Sequence, residues 1–254
     1  MTLPRTPSFR LDGLTALVTG AGRGLGLACA AALADAGAEV TLAARTAQEI
    51  ESAAAAIQAT GGKANFLVLD VLDVGAVQQA IGDAGPFSVL VNNAGTNRPK
   101  PFTNVSVDDY DAVLNLNLKA AVFVAQAVAI GLIEAGQAGS IIHMGSQMGH
   151  VGGASRSLYC ASKWALEGLS KSMALDLASH RIRSNTIAPT FIETPMTRPF
   201  FEDAAFRESV LSKIKLGRLG TVQDVMGAVV YLASPASALV TGTSIVVDGG
   251  WTAD

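Results

Sequence analysis

Short apolar runs alternate along this chain with longer stretches whose apolar residues return every third or fourth position, the spacing of a helix face. The runs predict strands at 14–19, 39–43, 64–69, 88–91, 140–144, 183–187 and 244–247. The periodic stretches predict helices at about 25–36, 47–60, 74–83, 106–134, 158–178 and 222–233. Strands that alternate with helices form parallel βαβ units, so the expected fold is α/β: one doubly wound, parallel, seven-stranded sheet with helices on both faces. Residues 1–12 read as an N-terminal tail. Residues 190–220 break the rhythm with Pro195, Pro199, Phe200 and Phe201, as a lid or substrate loop does. No internal repeat or linker marks a second boundary, so residues 1–254 are read as a single domain.

Composition narrows the partners. Half of the residues are hydrophobic, 15% are charged and the formal net charge is −3, which gives no electrostatic reason to expect nucleic acid or a membrane surface. Charged and glycine residues interrupt every apolar run before the ~20 residues of a membrane span, and the opening segment lacks the apolar core of a secretory signal. A soluble, cytoplasmic protein is the expectation. Cys29 and Cys160 lie far apart without metal spacing and read as inert thiols, and no histidine pair has the spacing of a metal site.

Candidate chemistry begins at the first strand–helix junction, Gly20-Ala21-Gly22-Arg23-Gly24-Leu25-Gly26. Glycines there permit a tight turn and close backbone approach, and the amides of the following helix attract phosphate. The spacing is looser than the dinucleotide G-x-G-x-x-G pattern, but its place between strand and helix strengthens it. The second strand ends in Ala43-Ala44-Arg45, without the acidic residue that binds a free ribose. Arg45 and Arg23 could instead reach a 2′-phosphate, which favours NADP(H), with NAD(H) the alternative. Ordinary solvated surface charge is the plain reading of both arginines.

The second constellation is Tyr159-Cys160-Ala161-Ser162-Lys163, which sets a tyrosine and a lysine one helical turn apart on one face. Together with the glycine turn, Asn92-Asn93-Ala94-Gly95, Asn117, Ser146 and Val247-Asp248-Gly249-Gly250, this pair makes the chain resemble the short-chain dehydrogenases/reductases from about residue 10 onward. That resemblance implies a Rossmann-type fold and hydride transfer between a nicotinamide cofactor and a carbonyl or alcohol. It implies Tyr159 as general acid/base and Lys163 as the charge that favours tyrosinate and binds the nicotinamide ribose. Ser146 would polarise the substrate oxygen, and Asn117 would hold a water for proton relay, with Asn115 a compositional rival. Asp70 and Val71 would meet the adenine, Asn93, Ala94 and Gly95 would lie beside the cofactor, and Pro189, Ile192 and Thr194 would meet the nicotinamide. The family's usual Pro-Gly is Pro189-Thr190 here, which puts those last contacts in doubt.

Around the expected mouth lie Gln147, Met148, His150, Arg156, Phe191, Met196 and Arg198. Arg156 or Arg198 could pair with a substrate carboxylate, while Phe191 and Met196 suit an apolar chain. Within the family the loops resemble sugar, polyol or sugar-acid dehydrogenases. The enzyme alternative is a 3-oxoacyl thioester reductase, and a non-catalytic cofactor sensor or scaffold is the alternative of another class. Similar proteins form tetramers, and helices apolar nearly all round suit such an assembly.

Overall fold

A computed structural model describes residues 1–253 of the chain. Seven strands form one sheet: β1 (Thr15–Thr19), β2 (Glu39–Ala44), β3 (Lys63–Val68), β4 (Val89–Asn92), β5 (Gly139–Met144), β6 (Ile182–Pro189) and β7 (Ser244–Val247). Their order is β3-β2-β1-β4-β5-β6-β7, and every pairing is parallel. The connectivity reverses between β1 and β4, and such a switch point opens a crevice at the carboxyl ends of the strands.

Eight α-helices accompany the sheet among the described residues: α1 (Gly24–Asp35), α2 (Ala47–Ala59), α3 (Val74–Ala84), α4 (Val107–Leu114), α5 (Ala120–Glu134), α6 (Ser157–Leu177), α7 (Ala204–Leu211) and α8 (Val222–Ala233). Alternate strand residues feed two separate cores. Ala16, Val18, Val91 and Ile142 pack with Leu33, Ile50, Val225 and Val229 on one face. Leu17, Leu90 and Ile141 pack with Val77, Ile81, Val124 and Leu132 on the other. Burial on both faces explains why the strands read as continuous apolar runs.

Four features depart from the sequence reading. The tail is shorter than residues 1–12, because Leu11 is fully buried and its amide bonds the Ala36 carbonyl. The 106–134 helix is one rod with a π-turn at Asn115–Lys119 between α4 and α5. An apolar window within this rod, Val107–Glu134, has a mean hydropathy of 1.9, and the rod is long and apolar enough to cross a membrane, although charges were expected to interrupt every such run; half of that window is buried within the fold. The 190–220 segment contains α7, started by Asp203, whose carboxylate accepts from the Ala205 and Phe206 amides. The base of that segment is closed by reciprocal backbone bonds of Gly220 with Phe191 and Glu193.

Candidate active site

The β1–α1 turn is shaped by Gly20 and Gly24, both in the left-handed region at φ +64° and +58°. A side chain on Gly26 would overlap the Gly20 carbonyl and Asn93, so α1 can approach β1 this closely only with glycine there. The turn is clamped to the end of β4: Asn93 Nδ2 donates to the Thr19 and Gly20 carbonyls, and Thr19 Oγ1 accepts from the Asn93 and Ala94 amides. Arg23 occupies the N-cap of α1 and Thr46 that of α2, and neither side chain caps its helix. The first-turn amides of both helices are therefore free to meet an anion.

From this turn a cleft of about 410 Å³ runs across the switch point to the N-terminus of α6. At the glycine end it is lined by Gly20, Arg23, Gly24, Leu25, Gly26 and Arg45, with Asp70 and Val71 on the far wall. Asn93, Ala94 and Gly95 line its middle, and Ser146, Met148, Arg156, Tyr159, Lys163, Pro189, Phe191, Ile192, Thr194 and Met196 line the other end. All the expected cofactor residues, and Ser146, Met148, Arg156, Tyr159, Phe191 and Met196 at the substrate end, thus face one cleft, whereas His150 and Arg198, expected at its mouth, do not line it. Asp70 lies two positions beyond β3 rather than ending it, with Oδ1 accepting from the Leu72 amide. The Pro189-Thr190 departure leaves the strand end intact, since the Thr190 amide bonds the Val247 carbonyl.

Asn117, expected among the catalytic residues, does not line the cleft either. The π-turn carries it inward, where it is buried, while Asn115 is exposed. Its amide group is fully committed: Oδ1 accepts from the Thr96 amide, and Nδ2 donates to the Thr96 carbonyl and to Ser162 Oγ. The side chain therefore braces structure and has no donor left over for a water.

Lys163 is buried, with Nζ donating to the Met144 carbonyl at 2.7 Å and lying 5.6 Å from the centre of the Tyr159 ring. Burial pulls its pKa down to about 8, against the attraction of Glu167. Burial also pushes the Tyr159 phenol up, with a hydrogen bond to Ser146 the largest opposing influence. The Lys163 ammonium is aimed at the Met144 carbonyl, so desolvation dominates at the phenol in the cleft without a cofactor. Ser146 is buried, donates to Gln147 Oε1 at 2.8 Å and accepts from the Met148 amide.

Two features had no readable signal. Glu49 lines the glycine end and pairs with Arg23 at 3.6 Å, so a carboxylate stands at that end of the cleft after all. Arg45 is exposed and has no ion pair or hydrogen bond among the described residues. The aromatic cover is the other feature: Phe191 packs on Phe201, Phe206 and Trp251 above the substrate end. His150, expected near the mouth, instead bonds Ser244 and lies 3.5 Å from Glu167 outside the cleft lining. His143 is fully buried with its pKa pulled down to about 4, and burial pushes the Cys29 thiol up to about 12.

The family model described as enoyl-(acyl carrier protein) reductase matches residues 20–252. An L-xylulose reductase of Bos taurus is 39% identical over 245 residues, covering 96% of this chain and 99% of that protein. A gluconate 5-dehydrogenase of Gluconobacter oxydans is 39% identical over 248 residues, covering 96% of each. The crystal structure of a gluconate 5-dehydrogenase from Burkholderia cenocepacia, in complex with NADP and tartrate, superimposes with a TM-score of 0.94 at 38% identity, covering 97% of this chain and 98% of that one. Near-complete coverage at this identity, over a fold that gathers the glycine turn, Ser146, Tyr159 and Lys163 into one cleft, places the chain in the short-chain dehydrogenase/reductase family of oxidoreductases that act on CH–OH and C=O groups.

Proposed function

We propose that the protein is an NADP(H)-dependent oxidoreductase acting on a sugar, polyol or sugar acid, with Tyr159 as its proton donor and acceptor. The observation that carries this reading is the convergence of Ser146, Tyr159 and Lys163 on a cleft whose other end is the uncapped glycine turn. The residues present fit the cofactor: free helix amides for phosphate, and an unpaired Arg45 beside the uncapped start of α2 for a 2′-phosphate. The NADP and tartrate in the Burkholderia relative, and the sugar and sugar-acid substrates in the names of the others, support the same reading. Gly20 to Gly26, Arg45, Asp70, Val71 and Asn93 to Gly95 would hold the dinucleotide, and Pro189, Ile192, Thr194 and Lys163 its nicotinamide half. When bound, the cofactor supplies or accepts the hydride.

The chain's own residues handle the proton and the oxygen. Ser146 turns its hydroxyl from Gln147 to the substrate oxygen and polarises it. Tyr159, held as a neutral phenol by burial, gives its proton to that oxygen as negative charge develops there, which suits reduction of a carbonyl. Lys163 restrains the phenol from beneath its ring and steadies the tyrosinate left behind. Asn117 acts at one remove by holding Thr96 and Ser162 in place.

Spectrophotometric assay of NADPH and NADH consumption with keto acids, ketoses and a reactive diketone tests this reading. Consumption with NADPH is expected, and absence of turnover with every carbonyl and either cofactor would sink it. A homotetramer is also proposed, because exposed apolar residues Val107, Tyr110 and Ile130 on the α4–α5 rod and Trp164 and Leu175 on α6 need cover. A stable monomer in analytical ultracentrifugation would overturn that part.

A further inference from the structure

Arg156 stands just before α6, at the substrate end of the cleft, and only 8% of its surface is exposed. One of its nitrogens, Nη1, donates to the Ser155 carbonyl at a long 3.3 Å, while Nε is buried with no partner. The guanidinium is bracketed by Phe200 at 5.6 Å and Phe206 at 6.0 Å from its carbon to the ring centres. No carboxylate pairs with it among the described residues, and the ionisable groups it feels are Tyr159 and Cys160.

Other arginines, the half-buried Arg183 and the exposed Arg98 and Arg218, have partners. Arg183 donates to the Leu232 and Val240 carbonyls, and Arg98 and Arg218 pair with Asp109 and Asp224. Arg198, the rival candidate in the sequence, is exposed and does not line the cleft. A buried guanidinium without an anion is costly to the fold, so its persistence at the mouth of a reaction site points to an anion that arrives with the ligand. The acidic residues lining the cleft, Glu49 and Asp70, are at the far, glycine end.

We infer that Arg156 is the subsite for a substrate carboxylate, which makes the protein a dehydrogenase of sugar acids and their keto forms in preference to neutral sugars and polyols; this rests on the oxidoreductase reading of the cleft. A carboxylate matches the planar fork of one arginine, whereas a phosphate dianion calls for more cations. The neighbouring cation, Lys163, is turned to Met144. Asn97 Oδ1 and Thr190 Oγ1 are likewise buried, unpartnered and in the lining of the same cleft, where they would meet the hydroxyls of a polyhydroxy chain.

The test is calorimetric titration of D-gluconate, sorbitol and glucose 6-phosphate into the protein saturated with NADP, for wild type, Arg156→Gln and Arg156→Lys. Wild type is expected to bind gluconate about tenfold or more tighter than sorbitol, Arg156→Gln to lose about 30-fold or more in gluconate affinity, and Arg156→Lys to recover part of it. The same selectivity, ketogluconate over fructose in kcat/KM, is expected to collapse in Arg156→Gln through KM. Equal wild-type affinity for gluconate and sorbitol overturns the inference without any variant; so does tighter binding of glucose 6-phosphate than of gluconate, or a preference for gluconate retained in Arg156→Gln. NADPH titration and thermal melting confirm that each variant is folded, and the Lys variant decides if the Gln variant is not. Arg156-dependent gluconate binding without NADPH consumption on any carbonyl would leave the carboxylate subsite standing and remove the oxidoreductase reading.

Discussion

Asn117 Nδ2 donates to Ser162 Oγ at 3.0 Å, and so ties the π-turn of the long rod to the single helical turn that separates Tyr159 from Lys163. Ser162 in turn donates to the Tyr159 carbonyl at 2.8 Å. On its other side Asn117 accepts from the Thr96 amide at 2.7 Å, which fixes the strand-end loop that carries Asn93, Ala94 and Gly95. One buried amide therefore sets the spacing between the candidate cofactor wall and the candidate proton donor.

Replacing Asn117 by Ala removes three bonds and frees that spacing. A fall in kcat of about 10- to 100-fold is expected from misplacement of Tyr159 and Lys163, together with a loss of about 1–3 kcal/mol in stability from the Thr96 groups left unpaired. Steady-state kinetics and urea unfolding measure the two effects. Unchanged kcat with lowered stability would reduce Asn117 to a purely structural brace.

Tyr159→Phe keeps the ring above Lys163 and removes the proton. Turnover is expected to fall by about 100- to 10,000-fold while NADPH binding stays within a few-fold, as read by kinetics and fluorescence titration. The pH profile follows from the raised phenol pKa. Reduction, which needs the neutral phenol, is expected to be flat through neutrality, and oxidation, which needs tyrosinate, to climb with pH in wild type. An oxidation rate independent of pH between 7 and 9 would remove Tyr159 from the rate-limiting proton transfer.

How far this site could be read in the sequence differs by layer. The strands were legible because the sheet is buried on both faces, so Leu17, Leu90 and Ile141 stand beside apolar neighbours that serve the opposite core. Helix α7 was hidden behind Pro199, Phe200 and Phe201, although Asp203 carried a readable cap signal. The cleft residues followed from their order along known motifs. The pairing of Glu49 with Arg23 did not, because it depends on how α2 is phased against the glycine turn. Nor did the burial of Arg156, which is created by Phe200 and Phe206 folding back from a distant segment. The ionisation of Tyr159 depends on where the Lys163 ammonium points, a matter of side-chain direction that spacing alone does not give.

Cofactor selectivity should respond to the charges at the glycine end. Arg45→Ala is expected to weaken NADPH binding about 10- to 100-fold and leave NADH nearly unchanged, because a charge-assisted contact to a 2′-phosphate is lost. Glu49→Gln is expected to act in the opposite sense, since it releases Arg23 and removes a carboxylate from the same end of the cleft. Parallel titrations of both cofactors read the ratio. An equal loss for NADPH and NADH in Arg45→Ala would place the 2′-phosphate elsewhere.

Lys163 should cost the fold stability that a neutral side chain would not. Its folded-state pKa of about 8 lies below the 10.5 of an unperturbed lysine, with burial the larger cause and Glu167 opposing it. Below pH 8 both folded and unfolded chains hold the proton, and the folded chain carries a buried charge whose penalty is on the order of 3 kcal/mol. Between pH 8 and about 10.5 the folded chain releases the proton while the unfolded chain keeps it, so stability contributed at this site rises with pH across that window. Lys163→Met removes the charge and keeps the stem, at the loss of the bond to the Met144 carbonyl. The variant is therefore expected to be inactive yet about 1–3 kcal/mol more stable than wild type at pH 7, with the advantage shrinking as pH rises from 8 toward 10. Chemical denaturation at pH 7 and at pH 9.5 measures both values. A variant less stable than wild type at pH 7, or an advantage that does not shrink with pH, would show that the bond to Met144 and the attraction of Glu167 outweigh desolvation.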